Sequence, residues 1–214
     1  MEQNLPANPE DIALQPADEQ ISGAVLETAI MNPKAMNQLA KVAKMYSSGT
    51  LVPKDYVNNP ANCFIACELA ARLNVSPSFV MQNLYIVQGK PSWSGQACIA
   101  LIKGCGLFSA VELVMVGEQG TQERGCYMKA IRNRDGSEVT GTTITLKLAQ
   151  DEGWYSKPGS KWKTMPEQML KYRAAAFFAR TECPNILMGY QIDDEIRDTG
   201  RSEEKITVKL GGQA

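Results

Sequence analysis

Val111-Glu-Leu-Val-Met-Val116, Cys126-Tyr-Met-Lys-Ala-Ile131 and Val139-Thr-Gly-Thr-Thr-Ile-Thr-Leu146 are the stretches that decide the fold class. Each is rich in β-branched and aromatic residues at a period near two, the pattern of a strand with one face on a core. Gly117 to Gly125 supplies the first turn, and Arg134-Asp135-Gly136 the second, through an Asp-Gly pair suited to a tight hairpin. The prediction is an antiparallel three-stranded β meander. Outside it the period changes to 3.6. Asn32-Pro33 and Asn59-Pro60 read as N-caps with proline at the first helical position, opening helices that end at Gly49 and Leu73. Ser76-Pro77 starts a third, short turn of helix, and Leu84 to Gln88 is a further strand stopped by Gly89. Ser94 caps a helix closed by Gly104 and Gly106, and Leu146 to Glu152 is a short helix. The longest helix runs from about Pro166 to Glu182, where Pro184 prevents its extension. Helices flanking one meander make the class α+β.

The chain of 214 residues divides into an acidic arm (1–31), a core (32–199) and a polar tail (200–214). Net charge is −1, but six of the 23 acids (Glu2, Glu10, Asp11, Asp18, Glu19, Glu27) precede Lys34, with none of the 22 basic residues among them. Residues 34–214 therefore carry +5. Within the arm, Ile21 to Met31 is an apolar segment with the look of one short helix. Histidine is absent, which excludes Ser-His-Asp and Cys-His catalysis and His-containing metal sites. The six cysteines sit mostly in apolar runs, such as Cys63-Phe-Ile-Ala-Cys67, and read as free core thiols of a reducing cytoplasm. Cys63 and Cys67 have no second pair with which to bind zinc. The polar Met1–Pro9 segment lacks the basic start of a signal peptide, and no apolar run approaches the roughly 20 residues that cross a bilayer.

The chemistry concentrates in Trp154-Tyr-Ser-Lys-Pro-Gly-Ser-Lys-Trp162-Lys163 and the helix behind it. Six bases (Lys157, Lys161, Lys163, Lys171, Arg173, Arg180) face one acid, Glu167. Arg173 and Arg180 are seven apart, nearly in line along the helix, and are expected to face outward while Met169, Leu170, Ala176 and Phe177 face the core. Cations on such a face neutralise phosphates, and flat rings stack on unpaired bases without regard to sequence. The alternative is a solvated helix face, with Trp154 and Trp162 as core or lid residues.

Two further constellations matter. Leu84 to Gln96 runs from strand to Gly turn to helix N-terminus, where the N–H groups of Ser94 to Gln96, with Lys90 and Trp93 beside them, can hold a phosphate. Asp193-Asp194-Glu195, with Asp198, can hold magnesium for phosphodiester hydrolysis, or can stabilise a helix start and pair with Arg197 and Arg201. No P-loop or dinucleotide fingerprint occurs, so work on DNA would be independent of ATP.

Four blocks in order resemble the RecT family of phage single-strand annealing proteins, with Redβ as a more distant relative. They are Leu51-Val-Pro-Lys54 with Cys67-Glu-Leu-Ala-Ala-Arg72 and Asn74-Val-Ser-Pro77; Leu84-Tyr-Ile-Val-Gln-Gly-Lys90 with Ser94-Gly-Gln96; Trp162 with Pro166-x-x-Met169-Leu170-Lys171-x-Arg173-Ala174 and Ala179-Arg180; and Pro184 with Gly189-Tyr190 and Asp194-Glu195. The match spans Lys41 to Asp198.

The resemblance implies a non-enzymatic protein of the bacterial host cytoplasm that coats single-stranded DNA and promotes homologous recombination of phage DNA by pairing complementary strands. It implies a homo-oligomer, ring or helical filament, an annealed duplex intermediate, and a phage 5′→3′ exonuclease as partner. No cofactor is required, Mg²⁺ at most assisting annealing. A long basic helix would line the DNA groove. DNA contact would fall on Lys171, Arg173 and Arg180, with Lys161 and Lys163 before them, Lys90 after the strand, and Trp162 and Trp93 for stacking. The polar tail after Gly200 is shorter than the C-terminal region that family members use for partner contacts. The acidic arm either packs on a neighbouring subunit or competes with DNA. Two readings of other classes remain open: a magnesium nuclease using Asp193, Asp194 and Glu195, and a non-enzymatic phage assembly protein whose basic helix contacts a protein.

Overall fold

The computed structural model describes residues 32–199; the acidic arm and the polar tail lie outside them. Helix α1 (Pro33–Ser47) packs on α2 (Pro60–Leu73), and α2 on the short α3 (Pro77–Asn83). All three start as the caps dictate. Asn32, Asn59 and Ser76 accept backbone N–H bonds from Lys34, Asn62 and Phe79, each ahead of a proline at the helix start. Asn74 ends α2 in the left-handed conformation, φ +52°.

A hairpin follows, β1 (Leu84–Val87) with β2 (Lys90–Trp93). Its two-residue turn is Gln88-Gly89, both at positive φ (+49° and +76°), the geometry of a type I′ turn. Gly89 does end the first strand, as expected, and it also turns the chain into a second one that the sequence reading did not contain. Late in the chain β7 (Gln191–Ile192) joins β2 in parallel, making a three-stranded sheet. Helix α4 (Gly95–Gly104) leaves β2 with Ser94 as its cap.

The meander is built from β3 (Phe108–Val116), β4 (Gly125–Arg132), β5 (Glu138–Thr140) and β6 (Ile144–Thr145), with β4 between β3 and the other two. The expected strand from Val139 to Leu146 is thus two pieces. At the break, Gly141 packs against Phe178, where a Cβ would stand 3.1 Å from the ring, and its N–H donates to the Met128 carbonyl at 2.8 Å. Leu146 already belongs to α5 (Leu146–Asp151), capped by Thr145. β3 starts three residues earlier than expected, carrying a bulge between Ser109 and Glu112 that puts Ala110 at φ +48°.

The longest helix, α6 (Pro166–Glu182), lies between β4 on one side and α4 on another. Its approach to α4 is close: a Cβ on Gly95 would stand 2.5 Å from Cγ of Tyr172. Met169, Leu170, Arg173 to Ala176, Phe178 and Ala179 are buried, so α6 is the central helix of the core rather than an exposed basic wall. A 3₁₀ turn (Pro184–Leu187) leads through β7 into α7 (Asp193–Thr199). The cysteines read as core thiols are free, and five of the six are buried; burial pushes Cys98 and Cys183 up to about 12. Among the described residues, no single helix is long and apolar enough to cross a membrane.

Candidate nucleic-acid interface

Arg173 points inward. Only 3% of its side chain is exposed, and its guanidinium bonds Glu195 at 3.4 Å and, more closely, Asp198. It also lies 4.0 Å from the Trp154 ring centroid and 5.9 Å from that of Trp162. Trp162 is fully buried, and its indole N–H donates to the same Asp198 at 2.8 Å. Arg180, one stripe further along α6, pairs with Glu195, which also accepts from the Ile192 N–H at 3.3 Å.

The seven-residue spacing thus does align the two arginines, but the stripe faces α7. The expectation that both face outward is corrected for Arg173, because α7 supplies its counter-charges; Arg180 stays 41% exposed. Burial pulls the Arg173 pKa down, opposed by Asp198 and Asp194. Burial pushes the Asp198 carboxyl up, opposed by the Trp162 N–H, Arg173 and Lys157.

The stacking expectation changes for the same reason. Trp162 is fully buried, its N–H is committed to Asp198, and its ring lies against Trp154 at 5.6 Å between centroids. Trp93 is fully buried as well, donating to the Leu187 carbonyl at 3.2 Å and meeting Tyr190 edge-on. Neither ring is presented to a base. An indole flanked by bases in sequence reads the same whether those bases point to water or fold over it.

The phosphate cradle at Ser94 to Gln96 is also taken. Ser94 and Gly95 are buried, the Ser94 N–H donates to the Asn83 carbonyl at 2.9 Å, and the Ser94 hydroxyl accepts the Ala97 N–H at 3.1 Å. The Gly95 N–H acts on the Asp193 carboxylate, which burial pushes up and which the Asp194 N–H, Arg197 and Gly95 pull down. Asp193 Oδ1 is buried without a hydrogen bond of regular geometry. The chain's own carboxylate therefore stands at the α4 N-terminus. Lys90 remains exposed at the start of β2.

Among the described residues, the cations that stand outside an ion pair are lysines. Every described arginine forms an ion pair with a carboxylate: Arg72, Arg124, Arg132, Arg134, Arg173, Arg180 and Arg197. Among the described residues, Lys90, Lys161, Lys163 and Lys171 make no such pair; Lys161 and Lys163 are exposed and Lys171 is half-buried. The loop carrying Lys161 and Lys163 is held compact by the Ser160 N–H to Lys157 carbonyl bond at 3.1 Å and the Met165 N–H to Lys161 carbonyl bond at 2.8 Å. Three lysines on α1, Lys34, Lys41 and Lys44, were not singled out from the sequence. Their signal was present: residues 33–54 hold four lysines and no acid.

The acids of α7 are engaged with these arginines, with the Asp193 to Arg197 contact at 4.0 Å the loosest. The partners are thus Arg173 and Arg180 of α6 in addition to Arg197, while Arg201 lies outside the described residues. The described residues contain no group of three or more His, Cys, Asp or Glu side chains arranged to hold a metal. Comparison with family models, curated proteins and solved structures found no match to the chain.

Proposed function

We propose that the chain binds single-stranded DNA along its phosphates and pairs complementary strands without ATP, serving phage DNA recombination as a homo-oligomer. The observation that carries this reading is the exposed Lys161 and Lys163, without an ion-pair partner among the described residues, on the ordered loop ahead of α6, with Lys171 behind them, at the positions where the family resemblance puts DNA contact. Lysine is a compact point charge that makes no planar, bidentate contact with a base edge. A lysine surface therefore suits backbone holding that ignores sequence, and salt weakens it, as strands that must exchange partners require. Arg180 contributes from its exposed edge, Lys90 from the hairpin. Arg173, Trp162 and Trp93 act by holding the scaffold.

The test uses two complementary oligonucleotides carrying a donor and an acceptor dye, mixed with protein at about 50 mM salt, where phosphate contacts are strong, without ATP. Energy transfer rises faster than without protein, and the strands keep their length when Mg²⁺ is added. Binding without faster pairing reduces the protein to a coating module. Shortened strands would establish the nuclease reading, and no binding at this salt the assembly-protein reading.

A further inference from the structure

Helix α1 presents an outer stripe of Lys34, Gln38, Lys41 and Met45, spaced three and four residues apart and all exposed. Met45 is 65% exposed, and Leu51 in the following loop is 90% exposed. Beside them lies an open groove of about 410 Å³ lined by Met45, Tyr46, Gly49, Leu51, Val52 and Met81. Apolar side chains exposed to this degree, with Lys41 and Lys44 exposed on the same helix and Lys54 on the loop that follows, mark a docking face. Nothing acidic lies within residues 33–54 to neutralise it.

The segment that joins α1 at Asn32 is complementary in both respects. Ile21-Ser-Gly-Ala-Val-Leu-Glu-Thr-Ala-Ile-Met31 is apolar, and residues 1–31 carry six acids and no base. We infer that residues 21–31 dock in cis on the outer face of α1, laying their apolar side chains over Met45 and Leu51 while the arm's acids screen Lys34, Lys41 and Lys44. The reach is adequate. Extended, the eleven residues span about 36 Å, against about 20 Å along α1 from Asn32 to Met45; fully helical they would cover only about 16 Å, so the docked segment is at least partly extended. Asn32 is extended (φ −102°, ψ 111°) and Pro33 follows it, so the chain breaks direction there. A tether this short keeps the arm at millimolar effective concentration near its own α1, ahead of any second copy. The arm is then an internal polyanion that keeps other polyanions off this face. The inference does not depend on the annealing reading, since neither probe below is single-stranded DNA.

The first test places a photo-crosslinking p-benzoylphenylalanine at Met45 in the full chain and irradiates an equal mixture of isotope-labelled and unlabelled protein. Cross-links to residues 21–31 within chains of one isotopic composition are expected. Mixed-isotope cross-links to those residues would assign the face to a second copy, and no cross-link to the arm would reject the docking; either overturns the inference. The second test uses heparin and a full-length variant with the six acids as Gln or Asn. Heparin affinity should rise about tenfold, as release of a tethered competitor requires. Adding Lys41→Gln and Lys44→Gln should abolish the gain. Unchanged heparin affinity of the six-acid variant would overturn the inference.

Discussion

Arginine and lysine divide this molecule between them. At the contact of α6 with α7, Arg173 and Arg180 meet Glu195 and Asp198 under a cover of Trp154 and Trp162. Along the loop before α6, Lys161 and Lys163 are exposed and make no ion pair among the described residues. Sequence separates these two sets poorly, since both are bases interleaved with aromatics within twenty residues of chain. Whether a base faces water or core depends on whether the fold delivers a carboxylate to it, and here the carboxylates arrive from 15 to 25 residues further along the chain. A guanidinium tolerates burial because its fork matches those carboxylates, while a lysine ammonium is held by its hydration at the surface.

The comparison breaks most visibly at Arg173. Arg173→Ala leaves Glu195 and Asp198 buried beside an empty site, and losing one partner of a buried pair costs about 3–5 kcal/mol. The measurement is chemical denaturation followed by Trp fluorescence, with a red-shifted native spectrum as Trp154 and Trp162 lose cover. A variant as stable as the parent would mean the side chain is not inside. Trp162→Phe is milder: it keeps an aromatic ring but removes the N–H donated to Asp198, at an expected cost of about 1–3 kcal/mol. The same denaturation curve reads it.

The smallest effect sharpens the comparison through pH. The Asp194 carboxyl is raised to about 6 by burial, then by Asp193 and Asp198, with Arg173 and Arg197 opposing. A carboxyl whose pKa is higher folded than unfolded binds more protons in the folded chain. This group therefore adds stability as pH falls from above 6 toward 4, and the charged form is a burden at pH 7. Asp194→Asn should raise Tm at pH 7 by about 2–4 °C and flatten the pH dependence between 6 and 4. A lowered Tm at pH 7 would show that the carboxylate is held by its arginines.

Local chemistry was legible. Asn-Pro, Ser-Pro, Ser94 and the period-two runs located the helices and the meander, because caps and alternation act within a few residues. The second strand of the first hairpin was not, because Gln88 adopts positive φ without being the Gly, Asn or Asp that usually marks such a turn. The break in the third meander strand depends on Phe178 reaching Gly141 from a helix 37 residues away, which no local pattern encodes. The site divided in the same way. The exposed lysines of the loop were named from their run of charge, and burial of Trp154 and Trp162 was one of the two readings their pattern allowed, whereas the inward turn of Arg173 required knowing that α7 folds back on α6.

The most direct measurement is single-stranded DNA affinity between 50 and 200 mM salt for the parent and for Lys161→Ala/Lys163→Ala. Both side chains are exposed and without ion-pair partners among the described residues, so Tm should not move. Removing two phosphate contacts should weaken binding alike for all sequences and flatten the slope of log affinity against log salt by about 1.4. An unchanged slope, or a loss confined to particular sequences, would contradict a lysine surface that holds the DNA backbone.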